Sequence, residues 1–139
     1  MHYMKHYLEE RRHSREDAVC VVNVGIHDQK LCPGLKSEDA CLEVYTNNVG
    51  SHLKLLNTTC GQILWLATTS TMDKPRQPQL NSRAIIWNRR VNEMMASEYP
   101  DNGYYIDVWN ASQQATHRDN VHFVSSYYQQ LGRLFSSLM

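Results

Sequence analysis

The run Ala18-Val19-Cys20-Val21-Val22-Asn23-Val24 is almost unbroken in apolar and β-branched residues. A strand with one wet face alternates apolar with polar residues. A solid run of this kind belongs to a strand covered on both faces, as in a parallel sheet. Parallel strands need long crossover connections, usually a helix, so this one run commits the chain to strand–helix units.

The rest of the sequence supplies them. Gln62-Ile63-Leu64-Trp65-Leu66-Ala67 and Tyr104-Tyr105-Ile106-Asp107-Val108-Trp109 read as a second and a third strand. Residues 38–56 place Cys41, Tyr45, Val49, Leu53 and Leu56 on one helical face. A second helix is expected from about Asn81 to Ser97, with Ala84, Trp87, Val91 and Met94 inward. A last helix carries Val124, Tyr128, Leu131, Phe135 and Leu138 as its apolar stripe. Ahead of the first strand, Tyr3, Met4, Tyr7 and Leu8 mark residues 2–13 as an amphipathic helix that bears His2, His6 and His13 on solvated positions. Polar loops are expected at Thr68 to Gln79, where Pro75 and Pro78 break both kinds of element, and at Asn110 to Asn120. Tyr99-Pro100-Asp101-Asn102-Gly103 reads as a turn. The order is a helix followed by three strand–helix units of about 40 residues, above the roughly 30 that a βαβ unit needs. This predicts an α/β fold, three layers deep, with a parallel sheet and right-handed crossovers.

With 139 residues the chain makes a single domain, residues 1–139. Its 14 basic and 14 acidic side chains cancel, which leaves no electrostatic footprint for nucleic acid or an anionic membrane surface. No apolar run approaches the roughly 18–20 residues of a membrane span, and the start has no apolar h-region and so does not read as a signal peptide. The spacings of Cys20, Cys32, Cys41 and Cys60 include no Cys-x-x-Cys, which argues against structural zinc. Cys20 reads as a buried thiol, while Cys32 and Cys41 bracket a turn-rich stretch they could close in an oxidising compartment. With the sequons Asn57-Thr58-Thr59 and Asn110-Ala111-Ser112, they tilt localisation towards the secretory pathway, Golgi or extracellular.

Ligands of open α/β sheets bind at the carboxyl ends of the strands. Here those ends hold Gly25–Asp28, Thr68–Asp73 and Asn110–His122. In the last segment Asp119 and His122 stand three apart, close enough for the carboxylate to orient the imidazole for general-base work. The plainer reading has Asp119 or Asn120 capping the last helix and His122 as a first-turn residue. His27 and Asp28, after Gly25, suit an anion-stabilising loop or an ordinary strand exit. A metal held by His27 and His122 would lack further ligands, so no metal is expected, and no cofactor. Met94, Met95 and Trp87 read as core, and no motif marks Ser14, Ser70, Ser125, Ser126, Ser136 or Ser137 as a nucleophile.

Together Val22-Asn23-Val24-Gly25-Ile26-His27-Asp28 and Asp119-Asn120-Val121-His122 resemble two blocks of the SGNH/GDSL hydrolase superfamily, in the right order. That resemblance covers about residues 18–138 and implies a flavodoxin-like sheet, with His122 as general base and Asp119 as its orienting partner. It implies a Gly-x-Asn-Asp oxyanion block at Gly25 to Asp28, but His27 stands where the family has Asn. An imidazole can also donate a hydrogen bond. The departure looks more like the PC-esterase and sugar O-acyltransferase branch, and Asn81 and Asn88 look similar to asparagines usual in the family. The substrate implied is a small-molecule or carbohydrate ester. The Gly-Asp-Ser block with the nucleophile is absent, so the expectation is the C-terminal portion of an SGNH-like domain, its sheet incomplete. The alternatives are a short binding or scaffold protein without catalysis, and an accidental likeness on a generic α/β unit.

Overall fold

A computed structural model describes residues 18–72, 79–119 and 121–137, without the side chains of residues 30, 31, 33 and 135. The helix expected over residues 2–13, Ser14, Pro75, Pro78, Asn120, Leu138 and the Phe135 side chain lie outside the described residues.

Three parallel strands form the sheet in the order β1-β2-β3. They are β1 (Val19–Val22), β2 (Gln62–Leu66) and β3 (Gly103–Ile106), with Val21 opposite Leu64 and Leu64 opposite Tyr104. Strand β1 leads into a 3₁₀ helix, Asp28–Gly34, which the sequence reading did not anticipate. Helix α1 (Glu38–Thr59) then returns to β2, and α2 (Gln79–Glu98) returns to β3. The short α3 (Trp109–Gln113) replaces the start of the loop expected from Asn110, because the Trp109 N–H donates to Asp107 Oδ1 at 2.9 Å. Helix α4 (Ser125–Ser136) ends the described chain. This is a small α/β domain with helices flanking a parallel sheet, a generic flavodoxin-like topology.

Helix α1 starts where Ser37 caps it, its hydroxyl accepting from the Ala40 N–H at 3.1 Å, with Glu38 and Asp39 complementing the first-turn dipole. Its five expected core residues are all buried. They meet Ile63 and Trp65 of β2 and Trp87, Val91, Met94 and Met95 of α2 in one cluster, where Tyr45 stacks on Trp87 at 3.9 Å. The opposite face of the sheet is thinner. There Leu66, Ala67 and Val108 are buried, with Leu131 of α4 packed on them.

That asymmetry corrects the reading of the first strand as covered on both faces. Successive side chains of a strand point to opposite faces. Cys20 and Val22 therefore join the α1–α2 core, while Val19 and Val21 lie 41% and 52% exposed on the opposite face. Cys20 is also no free thiol: it is bridged to Cys60, so β1 is tied to the end of α1. Cys32 and Cys41 form the second bridge, closing the loop the sequence allowed. The stripe expected on the last helix is rotated as well. Tyr127 is buried, its ring 4.3 Å from Phe123 and its hydroxyl donating to the Val108 carbonyl at 3.4 Å, while Tyr128 is 49% exposed.

Candidate functional site

The first wall of the site is the exit from β1. Asn23 Nδ2 donates to the carbonyls of Leu66 and Ala67 at 3.3 and 2.9 Å, fastening this exit to the end of β2. Gly25 follows with φ +137, a backbone conformation reserved for glycine, and it is buried. A Cβ there would stand 2.1 Å from Thr68 Oγ1, whose hydroxyl donates to the Val24 carbonyl at 2.7 Å. Close approach of two loops thus requires glycine at this position. His27 and Asp28 come next, at the start of the 3₁₀ helix, with His27 exposed.

Thr68 itself is held by Asn88, whose side-chain oxygen accepts from the Thr68 N–H at 2.8 Å while its Nδ2 donates to the Thr68 carbonyl at 2.9 Å. Asn81 does the same to Thr71 three residues on, at 2.9 and 3.0 Å. These asparagines secure the loop after β2. They do not line the cavity beside it.

The second wall is the segment before α4, folded back on itself. An isolated antiparallel bridge joins His117 to Phe123, the Arg118 N–H donates to the His122 carbonyl at 2.7 Å, and the Val124 N–H donates to the Thr116 carbonyl at 3.0 Å. His117 packs on the Phe123 ring at 4.3 Å, and its Nε2 lies 3.3 Å from the Ser70 carbonyl. Asp119 and His122 sit at the tip. Asp119 Oδ1 accepts from the Val121 and His122 N–H groups at 3.0 and 2.9 Å, and both carboxylate oxygens lie 2.9 Å from His122 Nδ1. Asp119 therefore does not cap α4, which starts at Ser125; it closes a turn around His122.

Those N–H groups, with the imidazole behind them, hold the Asp119 carboxyl well below the usual carboxylate range. An ionised carboxylate can only accept, so the proton between the two side chains belongs on Nδ1. In neutral His122 this leaves the Nε2 lone pair free to take a proton. The pair is open to solvent, with side-chain exposures of 54% for His122 and 45% for Asp119, so its mutual attraction adds little to stability.

Between the walls lies a cavity of about 430 Å³. Gly25, His27, Asp28 and His122, separated by most of the chain, all line it, and Asp119 reaches it through His122. The remaining lining includes Ile26, Leu66, Val108, Phe123, Tyr127 and Leu131, so the space is apolar with a polar rim. Thr69 and Asn23 also face it and were not singled out from the sequence. Asn23 had a visible signal, as the one polar residue in the first apolar run. Thr69 had none. Among the described residues no group of three or more His, Cys, Asp or Glu side chains is placed to hold a metal ion, and no helix is long and apolar enough to cross a membrane.

Compared with known proteins, the chain matches no protein-family model and no curated protein.

Proposed function

We propose that this cavity is the base and oxyanion half of an acyl-transfer site of the SGNH/GDSL type. The observation that carries the reading is the meeting of Gly25, His27 and Asp28 with His122 around one cavity, the His122 ring already oriented by Asp119. In this reading His122 Nε2 removes the proton from an attacking serine hydroxyl and returns it to the departing alcohol. The Gly25–His27 segment donates to the oxyanion, the His27 ring standing in for the family's asparagine amide. The apolar walls hold the acyl group of a small-molecule or carbohydrate ester. The flavodoxin-like sheet is then the C-terminal part of an SGNH order, and the serine arrives on a strand–helix unit other than those described.

Cleavage of p-nitrophenyl acetate tests this. The chain alone stays at the blank rate. A longer product of the same gene that carries a Gly-Asp-Ser unit cleaves the ester and loses about 10²–10⁴ of its rate on His122→Ala. Unchanged cleavage in that variant would remove His122 from the chemistry, and His122-dependent cleavage by the short chain would remove the missing nucleophile.

One observation favours a second reading, an SGNH-like binding or scaffold protein without catalysis: among the described residues, no serine lines the cavity. That protein would bind short-chain esters at the same residues and leave them intact.

A further inference from the structure

The Cys20–Cys60 disulfide and the triplet at Asn57, both unused by the acyl-transfer reading, meet at the end of the sheet where the strands begin. All the described cysteines are paired, Cys20 with Cys60 and Cys32 with Cys41. Disulfides persist in oxidising compartments, on the route where Asn-x-Ser/Thr triplets receive glycans. The two triplets here, at Asn57 and Asn110, are not equivalent. Ser112 of the second is fully buried; its hydroxyl accepts from the Ser70 N–H at 2.8 Å and lies 3.0 Å from the Ser70 hydroxyl. The fold therefore needs that serine whether or not Asn110 is modified.

Thr59 of the first triplet has no such task. Its hydroxyl donates to the Leu55 and Leu56 carbonyls of its own helix and otherwise meets only Cys60 Sγ next to it. Back-bonding of this kind does not stabilise a helix. Asn57, in the last turn of α1, uses only its oxygen: Oδ1 accepts from Asn102 Nδ2 at 2.9 Å, and its own Nδ2 donates to no described group. It opens on a shallow cavity of about 310 Å³ lined by Glu98, Tyr99, Pro100, Asp101 and Asn102. A substituent on Nδ2 leaves the Asn102 bond to Oδ1 intact, and the depression offers it the Pro100 ring and the Glu98 and Asp101 carboxylates as lining.

We propose that Asn57 is an N-glycan acceptor, its first sugar seated in this depression beside the Tyr99–Asn102 turn. Nδ2 attacks the anomeric carbon of a lipid-diphosphate oligosaccharide before the chain folds. The C–N bond forms as the C–O bond to the diphosphate breaks; the lipid diphosphate leaves, and the amide proton passes to a base of the transferase. The glycan lies at the opposite end of the strands from the His122 cavity and leaves that cavity open.

The test carries the full chain through the secretory route of a eukaryotic host behind a cleavable leader. Enzymatic deglycosylation and peptide mass spectrometry then read position 57. Deamidation at 57 is expected in the wild type, lost in Thr59→Ala and kept in Thr59→Ser. A secreted, disulfide-bonded chain whose Asn57 is unmodified overturns the proposal, whatever the state of Asn110. The wild-type peptide decides the matter even if a variant is not secreted.

Discussion

Gly25→Ala tests how the cavity's first wall is made. Alanine at φ +137 sits in a region that costs a non-glycine residue about 1–3 kcal/mol. The new Cβ also falls 2.1 Å from Thr68 Oγ1 and 3.2 Å from its Cβ and Cγ2. Thr68 is buried and fixed at its backbone by Asn88, so it can answer only by rotating its side chain. Rotation loses the hydroxyl's bond to the Val24 carbonyl, worth about 0.5–1.5 kcal/mol net. The sum is about 1.5–4.5 kcal/mol, a large share of the roughly 5–15 kcal/mol of a typical domain. Urea unfolding followed by circular dichroism measures it as a lower midpoint at unchanged slope. A double-mutant cycle with Thr68→Ala separates the two parts. Removing the hydroxyl and methyl should recover the clash component in the Gly25→Ala background, leaving the backbone component. If Gly25→Ala unfolds within about 0.5 kcal/mol of the parent, the range of ordinary surface changes, the close approach at Gly25 is not as described.

Four further expectations concern the frame and the tip. Asn88→Ala strips both the Thr68 N–H and its carbonyl of their buried partner, and should cost about 2–6 kcal/mol in the same assay at about 1–3 for each group. Loop closure over a sequence separation of 40 for Cys20–Cys60 and 9 for Cys32–Cys41 makes the first bridge worth more by about 1.3 kcal/mol. Comparing the two paired Cys→Ala variants checks that order. Asp119 should titrate below the ordinary carboxylate range by carbon NMR. Its folded value is depressed, so its stabilising effect is complete above the unfolded value near 3.9 and fades as pH falls through the folded one. Asp119→Asn removes the charge that selects the His122 tautomer, so imidazole nitrogen shifts should move from Nδ1–H towards a mixture, while an unmoved spectrum would separate the two side chains.

The helical layer was legible because its signals are local. Cys41, Tyr45, Val49, Leu53 and Leu56 recur at helical spacing, and burial follows the stripe. The first strand misled for a reason that is not local. Apolar residues on both sides of β1 say that two faces can be buried, not that a second layer is present over Val19 and Val21. Cys20 misled in the same way, since nothing in an apolar run reveals a partner 40 residues away. For the site, spacing brought Asp119 and His122 together correctly, and the rule for strand ends brought both segments to one rim. Phe123 and Tyr127 of the lining stayed hidden, because facing a cavity depends on how two loops lean together.

The central claim is that the Gly25–Asp28 turn and His122 form one anion-binding acyl site. The direct measurement is an NMR titration of the chain with butylphosphonate, a tetrahedral anion on an apolar tail. The amides of Gly25 to Asp28 and the His122 ring are expected to shift together along one binding curve. His122→Ala and His27→Ala should each weaken binding about tenfold, or about 1.4 kcal/mol. Shifts confined to other surfaces, or binding that neither substitution alters, would contradict that claim.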